Sequence, residues 1–265
     1  MNHFSQRPLG QTGLCVSALG LGTVKLGRNQ GVKYPSAFEL PSDEAAAELI
    51  RLANDCGINL IDTAPAYGTS EERLGKLLGA GARNWVICSK TGEEFENGQS
   101  RFDFSAAHTR KSVERSLKRL NRDWLDLVLV HSNGEDVDII ENSGAFDALA
   151  QLKQQGLIRA FGMSTKTVEG GLLAARESDC VMVTYNPQHT LEQPVLDECQ
   201  RLGKGVFLKK ALASGHLSGD DADPVQHCLD FAFAHPAVTS AIVGTINRHH
   251  LRDNIAKAKH SLSGA

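Results

Sequence analysis

Four side chains stand where buried-looking runs of this chain give way to polar sequence. Asn59-Leu60-Ile61-Asp62 ends on a carboxylate, Trp85-Val86-Ile87-Cys88-Ser89-Lys90 on an ammonium, and Leu127-Val128-Leu129-Val130-His131 on an imidazole. Tyr67 follows the first run in the next loop. A carboxylate, an ammonium, an imidazole and a phenol gathered at one place can hold and exchange protons. Each also has an ordinary explanation: Asp62 caps a turn, Lys90 is a solvated strand end, His131 is a satisfied core histidine, Tyr67 is packing. Singly, the ordinary explanation is the better one for each. It fails only if all four share one rim, and that depends on the elements that carry them.

The chain begins with a hairpin pattern: Pro8-Leu9-Gly10, a turn at Gln11-Thr12-Gly13, then Leu14 to Ser17. Strand-like runs follow at Ala18 to Gly22, Asn59 to Asp62, Trp85 to Lys90, Leu125 to His131 and Ile158 to Ser164. Val181 to Thr184, Gly205 to Lys209 and Thr239 to Gly244 complete the series. Helix-like segments such as Ser42 to Asp55, Ala106 to Leu120, Gly144 to Gln155 and Arg248 to Lys257 lie between them. Alternation of this kind implies a parallel sheet with helices outside. The runs are almost wholly apolar, as strands buried on both faces require. In 265 residues, close to the ~250 of one (β/α)8 barrel, closure into a barrel is favoured over an open sheet. One domain over residues 1–265 is the simpler organisation. In such barrels chemistry sits at the C-terminal strand ends, which puts Asp62, Lys90 and His131 on one rim beside Tyr67. The long connection Gly27 to Pro41 is either a lid or an irregular surface excursion.

Composition narrows the classes. Hydrophobic residues make up 41% of the chain, enough for a large core, and the net charge of −3 gives no reason to expect nucleic acid or an anionic membrane as partner. The six cysteines are scattered without CxxC spacing, which reads as free thiols in a reducing compartment. The opening residues lack the apolar stretch of a secretory signal, and no run approaches the ~20 residues of a membrane span. The expectation is a cytoplasmic protein. The basic run Arg110, Lys111, Arg115, Lys118, Arg119 and Arg122 reads as a solvated helix face, with an acidic partner surface as the weaker alternative.

The stretch Gly57-Ile58-Asn59-Leu60-Ile61-Asp62-Thr63-Ala64-Pro65-Ala66-Tyr67-Gly68-Thr69-Ser70-Glu71 resembles the signature of the aldo-keto reductases. Leu9-Gly10-Gln11-Thr12-Gly13-Leu14 and Leu19-Gly20-Leu21-Gly22-Thr23 are similar to that family's N-terminal hairpin and first strand. The likeness continues through Ser89-Lys90, His131-Ser132 and Gly162-Met163-Ser164 to the C-terminal helix. It implies an α/β fold, a (β/α)8 TIM barrel with the hairpin capping its bottom, and an NAD(P)H-dependent oxidoreductase. It also implies that Asp62, Tyr67, Lys90 and His131 are the catalytic tetrad. Tyr67 would be the general acid, made more acidic by Lys90, which Asp62 holds in place; His131 and Tyr67 would both bond the substrate oxygen.

No GxGxxG motif follows a strand, so a Rossmann domain is not indicated. The resemblance instead implies a dinucleotide laid across the barrel top. Gly22, Thr23, Asp62, Ser164 and Thr165 then stand near the nicotinamide, with Met182 where the family carries glutamine and Lys209 where many members carry an aromatic. Lys209, Lys210, Leu212, Ser214 and Gly215 form a loop suited to the pyrophosphate, Lys209 being assigned to pyrophosphate rather than to a solvated end. Gly244, Thr245, Arg248, His250 and Asn254 hold the adenosine end, giving NADP(H) a slight preference over NAD(H). No metal is expected, His249-His250 reading as a helix start.

The implied activity is reduction of an aldehyde or ketone. Alternatives are a sugar or alcohol dehydrogenase working oxidatively, a non-catalytic NADPH-binding regulatory barrel, and a phosphate-handling isomerase or lyase using Lys90 as a Schiff-base amine. The expected partner is a small carbonyl or alcohol, with a monomer or weak homo-oligomer as the assembly. The chain ending soon after its last helix, at Ala265, implies an open pocket.

Overall fold

The computed structural model describes residues 4, 6–216 and 222–263; Ala265, on which the open-pocket expectation rests, lies outside them. Strands β1 (Gln6–Pro8) and β2 (Cys15–Ser17) form an antiparallel hairpin, and β3 (Leu19–Gly22) leads into a short helix α1 (Val24–Gly27). Helix α2 (Asp43–Asp55), β4 (Leu60–Asp62), α3 (Ser70–Leu78) and β5 (Val86–Thr91) continue the alternation. A second hairpin, β6 (Glu93–Glu96) and β7 (Gln99–Phe102), interrupts it before α4 (Ala106–Leu120) and β8 (Leu125–His131). Then come α5 (Asp136–Asn142), α6 (Ala145–Gln154), β9 (Ile158–Ser164), α7 (Val168–Glu177) and β10 (Cys180–Thr184). Helix α8 (Gln193–Leu202), β11 (Gly205–Lys209), α9 (Pro224–Ala234), β12 (Ser240–Val243) and α10 (Arg248–Ser263) end the chain.

The barrel is closed and parallel, in the order β3-β4-β5-β8-β9-β10-β11-β12 and back to β3 through Ala241 beside Leu19. Every strand-like run of the sequence is a barrel strand, with ends shifted by about a residue. The helices start where short polar side chains accept from orphan backbone amides. Ser42 caps α2 through Ala45 N, Ser105 caps α4 through His108 N, and Thr167 caps α7 through Gly170 N.

Two apolar layers follow from strand alternation. Outward side chains such as Ile61, Ile87, Val128 and Val181 pack under the helices. Inward ones, including Leu60, Cys88, Leu127, Leu129, Ala160 and Phe207, fill the barrel. Leu9, Leu14 and Val16 of the first hairpin join the inner layer and plug the N-terminal end. The fit is close: a Cβ on Gly10, whose φ is +52°, would lie 2.7 Å from Gly205 N. With that end sealed, the rim at the C-terminal end is left for a ligand.

The β6–β7 hairpin was absent from the sequence expectations. Asn97 and Gly98 turn it with φ of 52° and 79°, the left-handed pair that a two-residue type I′ loop needs. Among the described residues, no helix is long and apolar enough to cross a membrane. The basic face of α4 is less solvated than expected. Arg115 pairs with Glu94, Arg119 with Glu71 and Glu72, and Arg122 with Asp126.

Candidate active site

Period-two geometry carries the inner layer up to the rim. Asp62 is two residues beyond inward Leu60, Lys90 two beyond Cys88, and His131 two beyond Leu129. Lys209 follows Phe207 in the same way, and Ser164 lies four beyond Ala160. All five line one cavity of about 760 Å³, and Tyr67 joins them from the turn after β4. That turn is held by Tyr67 N donating to Ala64 O at 3.0 Å and Ser70 N donating to Tyr67 O at 3.2 Å. The four candidates for catalysis therefore do share one rim.

Their innermost contact is the pair of Lys90 and Asp62. Nζ donates to Asp62 Oδ1 at 2.5 Å and to Thr63 O at 2.9 Å, and both side chains are almost wholly buried. Burial opposes the ammonium, yet Asp62, followed by Tyr67, lifts Lys90 above its ordinary value. The Tyr67 hydroxyl donates to Asp62 Oδ2 at 3.5 Å, and Lys90 Nζ lies 4.8 Å from the Tyr67 ring centre. Lys90 acts on the phenol in the expected, acidifying sense. It is outweighed: burial first, then the Asp62 carboxylate, raise Tyr67 above its ordinary value of 10. Lys90 thus offsets only part of the upward shift on the phenol.

His131 meets the Tyr67 ring edge-on, with centres 6.2 Å apart. On its other side stands Glu93, whose Oε2 is 2.7 Å from His131 Nδ1. Sequence reading missed this residue because it missed the hairpin that carries it; the Asn97-Gly98 pair was the available signal. Glu93 also accepts from Ser100 Oγ at 2.6 Å, and Arg28 Nη1 is 3.8 Å away. Arg28 ties the wall together. It donates to the carbonyls of Gln30, Gly31 and Ala66 and lies 3.4 Å from the centre of the Phe95 ring.

The connection from Gly27 to Pro41 lines the cavity rather than standing clear of it. A Cβ placed on Gly244 would meet the Tyr34 hydroxyl at 3.3 Å, and one on Gly215 would meet Pro35 Cδ at 3.5 Å. Lys25 Nζ lies 3.9 Å from the Tyr34 ring centre and 5.0 Å from that of Phe38, which braces the connection.

Most residues assigned to the dinucleotide lie on this cavity: Gly22, Thr23, Asp62, Ser164, Lys209 and Lys210, then Leu212, Ser214, Gly215, Gly244, Thr245, His250 and Asn254. Met182 lines it too. Two do not. Arg248 is on the surface of α10, paired with Glu48 of α2 at 2.5 Å, so its guanidinium is engaged away from the cavity. Thr165 is wholly buried, and its hydroxyl donates to Glu192 Oε1 at 3.4 Å. Lys209 is displaced from its assigned part. Its Nζ donates to Ser164 Oγ at 2.9 Å and Thr165 O at 2.5 Å, at the β9 end rather than out in the loop after β11. Burial there, reinforced by Lys210 and Lys166 against the pull of Glu192 and Asp136, brings it down to about 8. His249 and His250 begin α10, their amides donating to Asn247 Oδ1 as at a helix start.

Comparison with known proteins agrees with this architecture. The model of the aldo/keto reductase family matches residues 18–225. A crystal structure of an aldo-keto reductase from Pseudomonas aeruginosa superposes with a TM-score of 0.90 at 56% identity, covering 98% of this chain and 97% of that one. Aldo-keto reductase YhdN of Bacillus subtilis (strain 168) is 38% identical over 218 residues, 80% of this chain and 63% of that protein. L-galactose dehydrogenase of Arabidopsis thaliana is 30% identical, covering 97% of this chain and 88% of the plant enzyme.

Proposed function

This chain belongs to the aldo/keto reductase family and is an oxidoreductase of carbonyl compounds, and from that premise we propose that it interconverts an aldehyde or ketone with the corresponding alcohol, Tyr67 exchanging the proton on the oxygen. The observation that carries the reading is the convergence of Tyr67, His131 and the buried Lys90–Asp62 pair on one cavity rim. Members of the family bind nicotinamide cofactors, and the cavity fits one. It runs from Asp62 and Tyr67 to the start of α10, and its half-buried Lys209 lacks a carboxylate in direct contact among the described residues, as suits an anionic ligand. Bound there, the nicotinamide supplies the hydride. Ser164 and Lys209 would face its ring end, Lys210 and Ser214 its phosphates, and Thr245, His250 and Asn254 its adenosine. With Arg248 engaged by Glu48, the slight preference for NADP(H) rests on those last three residues.

The chain's own part is to bind, orient and handle the proton. Tyr67, raised above 10, is a full phenol at neutral pH and so holds the proton that a reduced carbonyl oxygen needs. Lys90 supplies a fixed positive charge behind it, and Asp62 keeps that charge in place. This arrangement speaks against an isomerase or lyase using Lys90 as a nucleophile. An amine kept protonated by a carboxylate 2.5 Å away has no lone pair to attack with.

Fluorescence titration with NADPH and NADH, followed by rate measurements over a panel of aldehydes, ketones and alcohols, tests the proposal. Tyr67→Phe is expected to lower kcat/KM by about 10²–10⁴-fold while leaving cofactor affinity unchanged. Wild-type rates in that variant would remove Tyr67 from the mechanism. Failure to bind either cofactor would point to a different function altogether.

A further inference from the structure

Charges at the Tyr67 end of the cavity are matched in pairs. Lys90 and Asp62 meet at 2.5 Å, and Arg28 stands 3.8 Å from Glu93. Lys209 is different. Its ammonium donates to two neutral oxygens, Ser164 Oγ at 2.9 Å and Thr165 O at 2.5 Å, and it makes no ion pair among the described residues. The Glu192 carboxylate acts on it only from a distance and is engaged elsewhere. Thr184 N donates to its Oε2 at 2.8 Å, and Thr165 Oγ1 to its Oε1 at 3.4 Å. Brought down to about 8, Lys209 is still mostly an ammonium at neutral pH.

Strand register sets where that charge stands. His131 of β8 pairs with Ser164 of β9, Ser164 with Met182 of β10, and Thr184 of β10 with Lys209 of β11. Lys209 therefore reaches across the end of β10 and places its ammonium on Ser164, the neighbour of His131. His131, Ser164, Met182 and Lys209 all line the cavity. In the proposed reaction the carbon that takes the hydride and the oxygen that takes the Tyr67 proton are one bond apart. A bound nicotinamide must therefore have its reactive ring at the Tyr67 end, the end that Lys209 charges. The ring is uncharged in the reduced cofactor and positive once a hydride has left it, while the phosphates, sugars and adenine are the same in both forms. A fixed ammonium repels the second form and is nearly indifferent to the first.

We propose that Lys209 is a specificity-determining residue that tells the two oxidation states of the nicotinamide cofactor apart, admitting the reduced form and repelling the oxidised one, so that the site fills with reductant when both are present. The inference rests on the proposed function, which brings the nicotinamide to this cavity. It gives Lys209 a different part from the pyrophosphate contact expected from the sequence. The Lys90–Asp62 pair cannot do the same, because its two charges lie 2.5 Å apart and largely cancel at the ring. The repulsion has a cost and a return: it opposes loss of the hydride in the bound state, and it hastens departure of the oxidised form afterwards.

Equilibrium binding decides this without turnover. Isothermal titration calorimetry at pH 7 gives Kd for NADPH and NADP+, and for NADH and NAD+, in the wild type, Lys209→Gln and Lys209→Met. Gln keeps N–H donors for Ser164 and Thr165 without the charge; Met removes both and serves where the Gln variant fails to fold, circular dichroism melts showing which variants are folded. The quantity read is the ratio of the oxidised form's Kd to that of the reduced form, in which any contribution of Lys209 to phosphate binding cancels. The wild-type ratio is expected to be well above unity and to fall by about tenfold or more in either folded variant. A wild-type ratio near unity overturns the proposal. So does equal weakening of both forms in a variant, which would make Lys209 a phosphate ligand or a structural tie. Wild-type protein that binds none of these nucleotides overturns the proposed function instead, an outcome distinct from an unchanged ratio.

Discussion

At the scale of single residues, the site is governed by which buried charges have partners. Lys90 and Asp62 satisfy each other at 2.5 Å, and Tyr67 is held between an acidifying ammonium and a carboxylate that works against it. Burial and the carboxylate prevail, so the phenol stays protonated well beyond neutral pH. Lys90→Met leaves the Asp62 carboxylate buried without its counter-charge, which costs about 3–5 kcal/mol. Urea denaturation is expected to show that loss, and adding Asp62→Asn to the variant to recover part of it. Recovery would assign the loss to the stranded charge; no recovery would assign it to lost packing. Activity is lost in both variants, because the positive charge behind Tyr67 is gone.

At the scale of elements, the sequence announced most of what positions the site. Apolar runs with a polar last residue are legible because a barrel strand is buried on both faces until it reaches the rim. Asp62, Lys90 and His131 were readable for that reason. Glu93 was not, since β6 alternates Glu93-Glu94-Phe95-Glu96 and is too polar to stand out as a strand. Its signature was the Asn97-Gly98 turn rather than its hydropathy. Arg248 was misplaced because its partner, Glu48, is distant in sequence on α2, and no local spacing reveals a pair of that kind. One contact between elements bears directly on chemistry. The end of α1 lies against the Tyr67 turn, where a Cβ on Gly27 would stand 2.2 Å from Ser70 N and 2.3 Å from Tyr67 O. Backbone atoms cannot yield as a flexible side chain does. Gly27→Ala is expected to cost about 1–3 kcal/mol in urea denaturation and to lower kcat/KM by displacing Tyr67. Unchanged kinetics in the destabilised variant would show that the turn holds its place without α1.

For the molecule as a whole, the hairpin plug and the closed sheet leave one rim for ligands, so cofactor binding and stability are linked. At a concentration of 100 times Kd, a ligand that binds only the folded chain adds about 2.7 kcal/mol. For a chain of this size each kcal/mol raises Tm by about 2–4 °C. Thermal melts with NADPH and NADH at equal concentrations are expected to show a rise with both, larger for the preferred one; no rise with either would exclude the dinucleotide site. Arg28 gives the rim a further property. One guanidinium holds the carbonyl of Ala66, next to Tyr67, and at the same time stacks on Phe95 of the hairpin that supplies Glu93. The hairpin that carries Glu93 and the turn that presents the phenol are thus not independent units of heredity. A change at Phe95 is expected to loosen the clamp at Ala66 as well, so its effect depends on what stands at position 28. Substitutions at Phe95 and Arg28 are therefore expected to be coupled rather than additive.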